Sequence, residues 1–202
     1  MAQVPTITRW QDAGPYLRNQ RATVERDLRR LLADQGAPFA ICREVMASID
    51  HLGHLYTGSP QCGSRFRAFM EQVLGEVDPR YRRRAGEMYQ MYRCGTIHEF
   101  EPKLLENRKG QTLAWLAYQG SRAGQQLDLP DIGHLTVTHL EPVVLVAGRS
   151  FGLPVSTNCL LDDLMAAIDR FLAAGPEDER VTAWNRAARD LTAPEPFDFT
   201  VP

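Results

Sequence analysis

Lysine is almost missing from this sequence: Lys103 and Lys109 are the only two, so 21 of the 23 basic residues are arginine. A coding bias explains that by itself, although guanidinium forks also suit phosphate oxygens, which take bidentate hydrogen bonds. Net charge is small as well, −2 at neutral pH, which argues against bulk electrostatic capture of nucleic acid or of an anionic membrane. Long apolar runs are absent. The longest, Leu113–Tyr118 and Val143–Ala147, fall far short of the ~20 residues that span a bilayer. The opening MAQVPTITRW lacks the charged-then-apolar shape of a secretory signal, so the expected setting is the cytoplasm. Cys42, Cys62, Cys94 and Cys159 make no CxxC pair, which excludes a zinc knuckle and leaves reduced thiols as the expectation. No Gly-rich phosphate loop, GxSxG elbow or HExxH occurs.

What is there is an ordinary globular composition. Hydrophobic residues make up 44% and charged residues 24% of 202 positions, which rules out disordered and fibrous classes. A chain of this length buries a core without metal or disulfide staples and is expected to form one domain, 1–202.

Helical period dominates the first half, 15–100. Pro15 to about Leu32 carries Leu17, Val24, Leu28, Leu31 and Leu32 as its apolar stripe, and Gly36 and Pro38 close it. In the next helix, Phe39 to Tyr56, the residues Ile49, Leu52 and Tyr56 fall within about 40° of Val45 on the helical wheel. Arg43, Asp50, His51 and His54 take the opposite, polar side. After the break TGSPQCGS, a third helix spans Ser64 to Leu74. Asp78-Pro79 then reads as cap and first helical residue of a fourth, which buries Tyr81, Ala85, Met88 and Tyr92 and stops near Cys94 and Gly95.

Beyond Pro102 the period changes. Gln111–Gln119 and His134–Leu140 read as strands, with a third at Val143–Ala147 after Pro142 and a long, mobile connection from Gly120 to Gly133. Of the histidines there, His139 shares a face with Leu135 and Val137 and is expected to be a hydrogen-bonded core residue, with His134 on the other face. Helical period returns at 158–191, with Asn158 as cap. The expected fold is mainly α: a helical bundle with a small antiparallel β insertion at about 111–147.

The chemistry-bearing stretch is Arg93-Cys94-Gly95-Thr96-Ile97-His98, at the end of the fourth helix. Arginine, four residues and histidine resemble the R-x(4–6)-H signature of HEPN domains, and LYTG upstream with MYRCGTIHEFEPK around the motif is similar to a group of uncharacterised bacterial helical proteins. The resemblance covers about residues 39–103. It implies a small helical bundle, often a dimeric, metal-independent endoribonuclease of bacterial defence or toxin–antitoxin systems, with RNA as substrate and an antitoxin-like protein as a possible partner. By the same resemblance Arg93 and His98 are the catalytic pair. Histidine titrates near neutrality and serves as acid or base to the ribose 2′-hydroxyl or the leaving oxygen, while a fixed guanidinium stabilises the phosphorane. Active members usually carry a polar residue after the arginine. Cys94 stands there instead, a departure that bears on catalysis more than on binding.

Other readings of these residues stay open. Arg93 and His98 on an unbroken helix lie about 140° apart, so they meet only if the helix ends at Gly95 or if two protomers face each other across a two-fold axis. Cationic side chains at a helix end also simply cap carbonyls. The homodimer expectation places Met88, Tyr89, Met91 and Tyr92 partly at the interface, because these large residues exceed what one core stripe needs. Arg82 and Arg83, in the run 80–84, extend the RNA-binding surface or form a solvated face. Asp50, His51 and His54 form a second polar cluster from which two groups could hold a metal. No third ligand is evident, so no metal or other cofactor is assigned. The rival to the ribonuclease reading is a non-catalytic helical dimerisation or scaffold module.

Overall fold

The computed structural model describes residues 3–33, 38–91, 102–173 and 177–193. The chain is mainly helical, and among the described residues no helix is long and apolar enough to cross a membrane. A 3₁₀ turn, Trp10–Ala13, leads into α1 (Gly14–Ala33). It is followed by α2 (Pro38–Thr57), α3 (Cys62–Phe69), a π-helical turn Met70–Leu74, α4 (Gly75–Val77) and α5 (Arg80–Met88). Two helices close the described chain, α6 (Thr157–Ala173) and α7 (Glu177–Thr192).

α2 is the central element. It meets α1, α3, α6 and α7, so its buried set, which includes Ile41, Val45, Ile49, Asp50, Leu52, His54 and Leu55, goes well beyond the narrow stripe read from its period. The expected opposite face of solvated polar groups is corrected here, since neighbours cover the helix on several sides. At the crossing with α3 the backbones nearly touch: a Cβ placed on Gly53 would lie 2.4 Å from the carbonyl oxygen of Arg65. Replacing Gly53 with alanine is therefore expected to destabilise by about 1–3 kcal/mol through overpacking, read by urea unfolding. A change within a few tenths of a kcal/mol would show that the crossing yields freely.

Asp78 takes the expected capping role. Its extended backbone precedes α5, and its Oδ1 accepts the Arg80 backbone N–H at 3.0 Å. Tyr81, Ala85 and Met88 are buried as their spacing predicts, and Tyr92 and Gly95 lie outside the described residues. At α6 the cap differs from expectation. Ser156 Oγ accepts the Cys159 N–H at 3.3 Å, while Asn158 Oδ1 instead accepts the Gly120 N–H at 3.1 Å. Asn185 of α7 clamps the Ile7 backbone through both N–H and C=O, at 2.9 and 2.8 Å.

The strand region is larger than expected and its pairing differs. β1 (Leu105–Glu106), β2 (Thr112–Tyr118), β5 (Val143–Val146) and β6 (Ser150–Ser156) form a sheet in the order β1-β2-β6-β5. β4 (Gly133–Val137) falls on the strand expected at His134–Leu140, but it pairs in a separate hairpin with β3 (Gln125–Leu129), which occupies the stretch expected to be a mobile connection. The expected all-antiparallel insertion ending at 147 is corrected: β2 and β6 run parallel over their whole length, Thr112↔Ser150 to Tyr118↔Ser156. β6 escapes sequence reading because Gly152 and Pro154 read as breakers. Pro154 is tolerated because the bond from the Thr112 N–H to the Arg149 carbonyl sets the odd-numbered residues of β6 against β2, so the Pro154 nitrogen faces the other edge, where β5 pairs only with residues 150–152. Leu113, Trp115 and Ala117 of β2, with Leu153 and Val155 of β6, face the helices and join the hydrophobic core.

Candidate functional site

Three groups of polar residues merit description: the α2 cluster, the end of α5, and a buried network between helices and sheet. In the first, Asp50 and His54 are 7% and 4% exposed. Asp50 receives a two-pronged ion pair from Arg65 of α3, Nε to Oδ1 at 2.9 Å and Nη2 to Oδ2 at 2.7 Å. Arg65 Nη1 also lies 3.3 Å from His54 Nδ1. A guanidinium only donates, so Nδ1 accepts and Nε2 carries the proton. That Nε2 lies 3.2 Å from Asp190 Oδ2 of α7. The cluster thus fastens α2 to α3 and α7. His51 is not part of it: its Nε2 lies 3.2 Å from the Tyr16 hydroxyl of α1, and burial, with the nearby His54 and Arg65, holds its pKa below the ordinary value. The three residues named together from sequence are therefore split between two neighbourhoods. Among the described residues no group of three or more histidine, cysteine or acidic side chains could hold a metal.

The second neighbourhood is the end of α5. Arg93, Cys94 and His98 lie outside the described residues. Lys103 lies beside Met91, to whose carbonyl its N–H donates at 3.0 Å. Just upstream, the Tyr89 ring packs on Phe66, with ring centroids 5.6 Å apart, and its hydroxyl would lie 3.1 Å from a Cβ on Gly63. Met88 and Met91 are fully buried inside the chain, so their size requires no partner and the surplus argued from the helical wheel disappears for these two. Both flanking arginines are exposed. Arg82 is already engaged, by the Glu71 carbonyl at 3.1 Å and by the Glu76 carboxylate. Arg83 has no ion-pair partner among the described residues and is the one of the two free to meet a phosphate.

The third group was legible in sequence only at His139, which is buried and hydrogen-bonded as its pattern predicts, though just beyond β4. Its Nδ1 accepts the Ser156 backbone N–H at 3.0 Å, so its Nε2 carries the proton and donates to the Tyr81 hydroxyl at 3.1 Å. Tyr81 in turn donates to Asp163 Oδ2 at 2.9 Å. Arg122, from the loop after β2, bridges Asp163 Oδ1 and Asp78 Oδ2 at 2.6 Å each, and Arg80 binds the same Asp78. Burial, reinforced by the charges of Arg122 and Arg80, pushes His139 down to about 3, so it is neutral at pH 7. Burial pushes Asp78 up, but the hydrogen bonds and charges of Arg80 together with Arg122 outweigh it and hold this carboxyl at about 2. For Asp163 burial wins, and its pKa lies above the ordinary carboxylate value despite Arg122. His139 and Tyr81 have no solvent exposure, so they bind the sheet to α5 and α6, and only Arg122, at the outer end of the network, is partly exposed among the residues that meet Asp163. Tyr81, Asp163 and Arg122 could not be linked from sequence, since 41 positions or more separate every pair of them except through the fold.

Comparison of the chain with protein-family models, with curated proteins and with solved structures finds no match.

Proposed function

We propose that the chain is an RNA-binding protein of the HEPN type, acting as a metal-independent endoribonuclease or as its non-cleaving relative. In this reading the helices form a bundle interrupted by the strand region, the protein works in the cytoplasm as a homodimer, and Arg93 and His98 act on the scissile phosphate. The observation that carries it is the R-x4-H motif immediately beyond α5, a helix that exposes Arg83 on its flank. Arg93 serves as phosphate clamp, and His98 moves the proton at the 2′-hydroxyl or the leaving 5′-oxygen. Asp50 and His54 take no part in this chemistry, because Arg65 and Asp190 already occupy them. The rival reading, a non-catalytic scaffold or dimerisation module, draws on the edge strand β5, where Val144 and Val146 are 53% and 52% exposed.

The deciding experiment incubates the purified protein with total RNA in the presence of EDTA, wild type beside His98→Ala and Arg93→Ala. Cleavage by the wild type is expected to survive EDTA and to vanish with His98→Ala, and Arg93→Ala should weaken both cleavage and RNA binding. Unfolding of the His98→Ala protein would make that histidine structural. Abolition of activity by EDTA would replace the mechanism with a metal-dependent one. Absence of both binding and cleavage in the wild type would favour the scaffold.

A further inference from the structure

A groove of about 560 Å³ lies between the middle turns of α1 and α2, and Ile168 of α6 also lines it. The floor is apolar: Leu28, Leu52 and Ile168 are each 3% exposed or less. Asp27 and Glu44, both exposed, and the half-buried His51 line the groove as well, and no arginine or lysine does so among the described residues. Arg26 pairs with Asp27 at 2.9 Å. Glu44 is exposed and has no ion-pair partner among the described residues. We propose that this groove is a binding site for a small organic cation with an apolar body, of the arylalkylammonium type.

The charge pattern selects the ligand. A carboxylate beside an apolar trough attracts an ammonium and repels a carboxylate of the same shape. His51 adds no opposing charge, because burial keeps it neutral and the Tyr16 hydroxyl holds its Nε2. The volume lies in the range of small-molecule sites, and the apolar floor supplies the binding area while one or two polar groups fix orientation. An amphipathic helix from a second copy or from another protein is the competing occupant. It would need the whole length of the groove and would not discriminate between the two small molecules. The inference is independent of the RNA reading.

Ligand-observed NMR with 4-phenylbutylamine and 4-phenylbutyrate tests it on the full chain. The amine is expected to bind and the carboxylate to bind at least tenfold more weakly. Glu44→Gln should weaken amine binding about tenfold, the size of one lost charge-assisted contact. Ser48→Leu, which fills the groove from α2, should abolish it. Both variants are expected to keep the wild-type melting temperature within a few degrees, and a cleft-remote variant at the exposed Arg108, Arg108→Gln, should bind as wild type. Equal binding of amine and carboxylate, or binding unchanged by Glu44→Gln, overturns the proposal. So does a concentration-dependent dimer that Ser48→Leu disperses, because the groove would then belong to a second copy.

Discussion

Arg122→Met is expected to lower folding stability by about 3 kcal/mol, near the bottom of the range for breaking a buried ion pair from one side. The guanidinium is the shared counter-ion of Asp163 and Asp78, at 2.6 Å from each. Methionine fills much of the volume but leaves Asp163, whose side chain is 5% exposed, with the Tyr81 hydroxyl and, at 3.9 Å, the neutral His139 ring as its neighbours among the described residues. Asp78 suffers less because Arg80 remains on it. Arg122 itself is 37% exposed, so its own desolvation is modest and the loss sits low in the range. Removing the orphaned charge as well should recover part of the loss: the double variant Arg122→Met/Asp163→Asn is expected to be less destabilised than the sum of the single variants. Urea unfolding of the four proteins supplies the cycle. Additive losses would mean that the two side chains do not share one network.

Acidification should weaken the fold through His139 well before ordinary acid unfolding. A base whose folded pKa is depressed binds its proton more readily in the unfolded chain, so protonation favours unfolding. Its contribution is complete above pH 6.5 and is lost as pH falls from there toward about 3. One proton corresponds to about 1.4 kcal/mol per pH unit in that window. Asp78 adds to the trend only lower down, between its ordinary value near 3.8 and about 2. Asp163 works in the opposite sense, because its raised pKa lets the folded chain take up a proton more easily than the unfolded one. His139→Gln isolates the histidine. The glutamine amide can still donate to Tyr81, and although the Ser156 N–H loses its acceptor, that cost does not vary with pH. Unfolding free energies measured from pH 7.5 to 4.5 should therefore fall less steeply in the variant, by close to one proton. Equal slopes would show that His139 does not stay neutral in the folded protein, and an NMR titration of its ring would confirm it directly.

Much of the helical layout was legible because its signals are local. Asp78-Pro79 announces α5, and its cap bond to Arg80 is made by a residue two positions away. The apolar spacing of Leu160, Leu164, Ile168 and Phe171 places α6 against the core, where all four are buried. His139 was readable for the same reason: a polar side chain between apolar neighbours signals a satisfied core group. The candidate catalytic pair was legible as a motif, whereas the engagement of Arg82 by Glu71 and Glu76 depends on a chain reversal that its own helix does not encode.

The sequence by itself determined that the chain is mainly helical, in which stretches the main helices lie, and many of the apolar residues that face inward, because periodicity, caps and breakers act within a few residues. Apart from His139, tertiary structure decided which polar residues are inside. A helical wheel supplies one buried face per helix, but α2 is surrounded, so Asp50 and His54 are buried while His51 on the same helix turns to a groove. It also decided strand direction and partner. β2 and β6 are separated by two intervening hairpin strands and an edge strand, and their parallel pairing rests on long-range hydrogen bonds that no local pattern records. The Tyr81–His139–Asp163–Arg122 network has the same origin: each residue is unremarkable in its own segment, and only the packing of sheet against helices removes them from water and obliges them to satisfy one another.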